Sequence, residues 1–87
     1  MDANSFPSPP PQQVSTATGT LHGAVDGVNM LYTSDIMFSI AQVYLNGVLQ
    51  TLGYDCIASG NVIRFLKHAP IPGPPGDIVT AWLYPLA

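Results

Sequence analysis

Ala41-Gln42-Val43-Tyr44-Leu45-Asn46-Gly47-Val48-Leu49-Gln50 is the stretch on which the fold turns. Apolar residues flank an Asn46-Gly47 pair. A two-residue type I′ hairpin turn needs positive φ at both central positions, and Asn followed by Gly tolerates that best. Alternation then puts Val43 and Leu45 on one face of the incoming strand and Gln42 and Tyr44 on the other. The stretch predicts a β-hairpin at the centre of a small all-β domain. The rest of the chain pairs with it or hangs from it.

Working outward, Gly53 breaks the second arm and residues 54–58 read as a strand. Ser59-Gly60-Asn61 is a tight turn. Residues 62–67 form a strand with Ile63 and Phe65 on one face and Arg64 and Leu66 on the other. Residues 68–76 hold four prolines and two glycines and must be a loop. The last strand covers 77–84, and Pro85 ends it. Upstream, 14–21 alternates as an edge strand, 22–27 is a turn region and 28–33 is a strand. Residues 35–40 are a short connection or strand carrying Ile36, Phe38 and Ile40 on one face. Short strands with a turn signal every 8 to 12 residues or so predict a small antiparallel β-sandwich or barrel over 17–87. No stretch has helical periodicity with caps.

The last strand divides into Val79, Ala81 and Leu83 on one face and Ile78, Thr80, Trp82 and Tyr84 on the other. Both faces are largely apolar, and in a two-layer domain only one meets the core. Assigning Val79, Ala81 and Leu83 to the core turns Trp82 and Tyr84 outward, where such a pair marks an interface. The opposite assignment makes Trp82 the core tryptophan and leaves Leu83 outside.

The totals point to partners. A chain of 87 residues is one domain at most. At this size only about 60% of the unfolded surface is buried, and small domains usually need disulfides, a metal or other subunits. Cys56 is the single cysteine, so no internal disulfide forms. No His/Cys cluster has metal-ligand spacing. Charged residues make up 8% of the chain: Arg64, Lys67 and five acids, all Asp. An isolated monomer normally carries far more surface charge, so much of the outside is expected to be covered. The net charge of −3 and the lack of a basic stripe exclude nucleic acid as a partner. No signal peptide is read at the N-terminus, and no apolar run approaches the ~20 residues that span a bilayer, so no membrane is expected.

Residues 1–16 read as an extended arm ahead of the domain. Phe6-Pro7-Ser8-Pro9-Pro10-Pro11-Gln12-Gln13 favours polyproline II, which has no internal hydrogen bonds. One reading is a disordered tail. The other pins the arm against a partner, with Phe6 as the anchor because an isolated aromatic offers a large apolar area to a groove.

No catalytic constellation emerges. No nucleophile-elbow motif surrounds any Ser. His22 beside Gly23 and His68 at the mouth of the proline loop read as surface histidines. Cys56 reads as a small buried apolar residue, with an outward-facing thiol as the other reading. Asp26, Asp35, Asp55 and Asp77 flank turns, the ordinary structural use of Asp. Gly73-Pro74-Pro75-Gly76 lacks the Lys and Ser/Thr of a phosphate loop, and its prolines remove the N–H groups such a loop needs. No enzyme activity, metal or cofactor is expected.

Asp26-Gly27-Val28-Asn29, Val43-Tyr44-Leu45-Asn46-Gly47-Val48-Leu49, Tyr54-Asp55, Ser59-Gly60-Asn61-Val62-Ile63 and Gly76-Asp77-Ile78-Val79 follow one another in order over residues 26–84. This order resembles a small β-sandwich module of tailed-bacteriophage virion proteins, found in tail fibres, baseplate parts and head-surface proteins. The proline-rich loop and the arm depart from the module. The resemblance implies a structural role in a phage particle. One module plus one arm suits a capsid decoration (cement) protein, made in the host cytoplasm and placed on the capsid surface. Its expected partners are the major capsid protein and sister subunits in a dimer or trimer. On that expectation Phe6, Pro7, Pro9, Pro10 and Pro11 lie on the capsid, while Trp82, Tyr84, Ile71 and Pro72 meet sister subunits. A tail fibre or baseplate adaptor of the same fold is one alternative. A carbohydrate-binding module, stacking sugars on Trp82, Tyr84 and Tyr44, is another.

Overall fold

The computed structural model describes residues 10–86. Eight strands run β1 (Gln12–Ser15), β2 (Leu21–His22), β3 (Leu31–Ser34), β4 (Phe38–Leu45), β5 (Val48–Leu49), β6 (Cys56–Ser59), β7 (Val62–Phe65) and β8 (Val79–Pro85). They form two four-stranded sheets: sheet I in the order β1-β8-β4-β5 and sheet II in the order β2-β3-β7-β6. Every pairing between named strands is antiparallel. The described residues contain no helix. The all-β expectation with antiparallel sheets is therefore met, with two separate layers rather than one closed barrel.

The inner faces make a single core. Val14, Phe38, Ala41, Val43, Val79, Ala81 and Leu83 from sheet I pack with Leu21, Tyr32, Cys56, Ile63 and Phe65 from sheet II. Tyr32 and Phe65 meet edge to face at 5.9 Å. The Tyr32 hydroxyl, buried with its ring, donates to the Ala24 carbonyl oxygen at 2.9 Å, so its polar tip is satisfied. Burial pushes that hydroxyl's pKa up.

The central hairpin forms at Asn46-Gly47, with φ of 52° and 84°, as type I′ requires. β4 and β8 are the two inner strands of sheet I, and β5 is short and at the edge. Val79, Ala81 and Leu83 are fully buried, so the outward assignment of Trp82 and Tyr84 is the one adopted.

Three expectations need correction. The arm boundary at residue 16 falls too late, because Gln12–Ser15 already pairs with β8 and Val14 sits in the core. The edge strand read over 14–21 starts two residues earlier and stops at Ser15, and its partner lies toward the other end of the chain. Ile36, Phe38 and Ile40 do not share a face. The β4–β8 register shifts between Phe38 and Ile40, so Phe38 and Ala41 both point inward and Ile40 is exposed. Strands β3 and β6 start two to three residues later than expected. An Asp26 carboxylate accepting from the Val28 and Asn29 amides holds the chain in a turn before β3. The Asp55 carboxylate accepts from the Thr51 amide before β6.

Candidate interaction surface

Alternation along β8 turns Thr80, Trp82 and Tyr84 to the solvent side of sheet I, and antiparallel partners share a face. Three rows result. Thr80, Tyr44 and Leu49 make the first, Gln13, Trp82 and Gln42 the second, and Tyr84 beside Ile40 the third. Trp82 is 38% and Tyr84 37% exposed, against 58% for both Ile40 and Leu49. Tyr44 is a diagonal neighbour of Trp82, about 7–8 Å away at the backbone. The face is apolar and aromatic at its centre, amide-flanked, and carries no formal charge in these rows. A shallow depression of about 250 Å³ lies on it, lined by Gln13, Tyr44, Gly47, Thr80 and Trp82.

Ile40, Leu49, Gln13 and Gln42 were not singled out from sequence. The bulge moved Ile40 across the sheet, and cross-strand pairing supplied the two glutamines. Neither is visible in a linear pattern.

Ile71 and Pro72 are also exposed, but they belong to the end of the domain where β8 begins. Pro70 is buried there, its carbonyl oxygen accepting from the Gly27 amide at 2.8 Å. The Asp77 carboxylate accepts from the Ile71 amide at 2.9 Å and from the Asn46 side-chain amide at 2.8 Å. Asn46 also bonds the Ile78 backbone in both directions. The proline loop is thus clasped to the Asn46-Gly47 turn. These bonds, Asn46 first, hold the Asp77 carboxyl below the usual carboxylate range. Tyr84 is the sixth residue of β8, so about 17 Å of strand separates it from this end. The four residues expected at one subunit interface therefore fall in two places: Trp82 and Tyr84 on the outer face, Ile71 and Pro72 on the end loop.

Of the expected capsid arm, Phe6, Pro7 and Pro9 lie outside the described residues. Pro10 and Pro11 are exposed and lead directly into β1.

The chemistry-bearing side chains are dispersed. Cys56 is fully buried in the core, and burial raises its thiol pKa, which disfavours the nucleophilic thiolate. His22 Nε2 lies 3.0 Å from the Asp35 carboxylate, and both side chains are exposed. His68 is exposed. Among the described residues no three His, Cys, Asp or Glu side chains gather as metal ligands. No described helix is long and apolar enough to cross a membrane.

No family model, curated protein or solved structure matches the chain. The residues that carry the phage-module resemblance have a local use in this structure. Asp26 and Asn29 build the turn before β3, Asn46 and Gly47 turn the hairpin, and Asp77 clasps the loop.

Proposed function

We propose that the chain is a structural protein of a tailed-phage particle, a decoration (cement) protein that binds the assembled shell and braces neighbouring capsomers. The outer face of sheet I carries this reading. Trp82, Tyr84, Ile40 and Leu49 stand together on the solvent side of a domain with two basic residues in 87. Contiguous apolar surface of this kind on a small domain is built to be covered. Sister subunits in a dimer or trimer cover it. The proline-rich sequence ahead of β1, with Phe6, binds the shell.

The mechanism is linkage. A part that binds only the assembled lattice stabilises it by mass action, and two attachment points add avidity. The test is solution mass by light scattering, followed by mixing with shells that lack the protein. A dimer or trimer that fills the shell supports the reading. A monomer that ignores the shell overturns it. Copy number per particle separates a decoration from a tail or baseplate adaptor, which is present in few copies. Arm truncation must stop at residue 9, because β1 starts at Gln12.

One observation favours a second reading. Tyr44, Trp82 and Tyr84 share a face, with Gln13 and Gln42 on either side of Trp82. Aromatic rings flanked by amides suit a sugar, whose C–H face stacks and whose hydroxyls hydrogen-bond. Trp82 is the chain's one tryptophan, so its fluorescence reports the site directly. A saturable fluorescence change with oligosaccharide on a monomeric protein favours this reading over self-association.

A further inference from the structure

The solvent side of sheet II has a different makeup. Arg64 is the middle residue of a row, with Leu31 on one neighbouring strand and Ile57 on the other. Leu31 is 42% and Ile57 45% exposed. The next row runs His22, Thr33, Val62 and Ser59. No carboxylate among the described residues lies within salt-bridge distance of Arg64; the one pair found there joins His22 to Asp35.

The chain's other basic residue, Lys67, lies beyond the end of β7 and is already engaged with an aromatic ring. Its ammonium stands 3.1 Å from the centroid of the Tyr54 ring. The described acids sit in turns and are already engaged. Asp26 caps the turn before β3, Asp35 faces His22, Asp55 accepts from Thr51, and Asp77 clasps the loop. An exposed guanidinium between two apolar side chains, with no internal counter-charge, has the makeup of an interface hot spot: a planar five-donor fork set in surface that excludes water.

We infer that the outer face of sheet II, centred on Arg64 between Leu31 and Ile57, docks on a carboxylate-bearing, otherwise apolar protein surface of the shell. The inference rests on the decoration reading and names the face by which the domain itself, rather than its arm, meets the lattice. Charge complementarity selects this occupant. The face presents Arg64 with no carboxylate of the described residues within salt-bridge distance, so a carboxylate on the partner supplies the missing counter-charge. Sister subunits, by contrast, meet through the uncharged face of sheet I.

The experiment mixes full-length protein with shells of the parent particle grown without it. Bound copies are counted across a salt series for wild type, Arg64→Glu, Arg64→Lys and Ile57→Ser. Circular dichroism and solution mass check that each variant is folded and self-associates normally. The inference expects Arg64→Glu to weaken shell binding by about thirtyfold or more, the scale for losing one partner of a desolvated charge pair. Arg64→Lys recovers part of that loss, because a point charge replaces the fork. Wild type that binds shells while Arg64→Glu binds equally well overturns the inference and leaves the decoration reading standing. Wild type that does not bind shells at all overturns both.

Discussion

Trp82 on sheet I and Arg64 on sheet II hold equivalent positions. Each is the middle residue of a three-strand row on the solvent side of its sheet. The rows are inverted in chemistry: amide, aromatic, amide around Trp82; apolar, cation, apolar around Arg64. The inner faces show no such contrast. Both are apolar, tightly buried and joined in one core. Packing fixes what an inward residue can be, and it leaves the outward residue to be set by whatever the face touches. On the proposed reading, the two outer faces of this one small domain meet two different neighbours.

The strongest way to break this contrast is to mutate across a single peptide bond. Leu83 is fully buried, and Trp82 beside it stands on the outer face. Leu83→Ala should cost about 2–5 kcal/mol, since it deletes buried methyl groups and leaves a cavity. Trp82→Ala should change the stability of the isolated subunit by no more than about 1 kcal/mol while abolishing self-association. Urea unfolding measures the first effect and light scattering the second. If Trp82→Ala unfolds the subunit as severely as Leu83→Ala, the outer face is part of the fold rather than a surface for partners.

A smaller effect tests the anchoring of sheet II. Gly23 has φ of +153°, and a Cβ there would collide with the Tyr32 ring and approach the Leu31 carbonyl oxygen at 2.8 Å. Gly23→Ala should destabilise by about 1–3 kcal/mol through crowding. Tyr32 is fully buried and cannot retreat without dragging β3. Because β3 carries Leu31, shell binding should weaken along with stability, while self-association through sheet I is spared. Thermal unfolding and the shell-binding count read the two sides.

The sequence made the inner faces readable and the outer ones only half so. Val79, Ala81 and Leu83 could be assigned to the core because β8 alternates without interruption, and Ile63 and Phe65 for the same reason on β7. Asn46-Gly47 declared its turn by residue type alone. Ile40 was misplaced because a bulge has no signature in an apolar run where every choice of phase looks acceptable. β1 was missed at its true position because its partner is about seventy residues away in the chain, and Gln12-Gln13 has little strand character of its own. Gln13 and Gln42 became neighbours of Trp82 only through cross-strand register. The Arg64 row was hidden similarly: Arg64 was seen to point outward, but Leu31 lies on a strand whose pairing with β7 no local pattern fixes.

The smallest expected effect concerns acid, and it touches the ends of both sheets. Asp77 ties the entry of β8 to the β4–β5 turn in sheet I. Asp26 shapes the entry of β3 in sheet II through the Asn29 and Val28 amides, which hold its carboxyl low as well. A carboxyl whose pKa is lower in the folded chain stabilises it at pH values above the unfolded pKa. That contribution fades as pH falls through the folded value. With the ordinary Asp pKa at about 3.9, the melting temperature should hold from neutral pH to about 5 and then decline below about 4. Asp77→Asn should lower the neutral-pH melting temperature and flatten part of the acid decline, and Asp26→Asn should do the same independently, since the two lie in separate turns. If Asp77→Asn removes the dependence and Asp26→Asn does not, acid acts through the clasp of sheet I. Self-association should then fail at low pH before shell binding does.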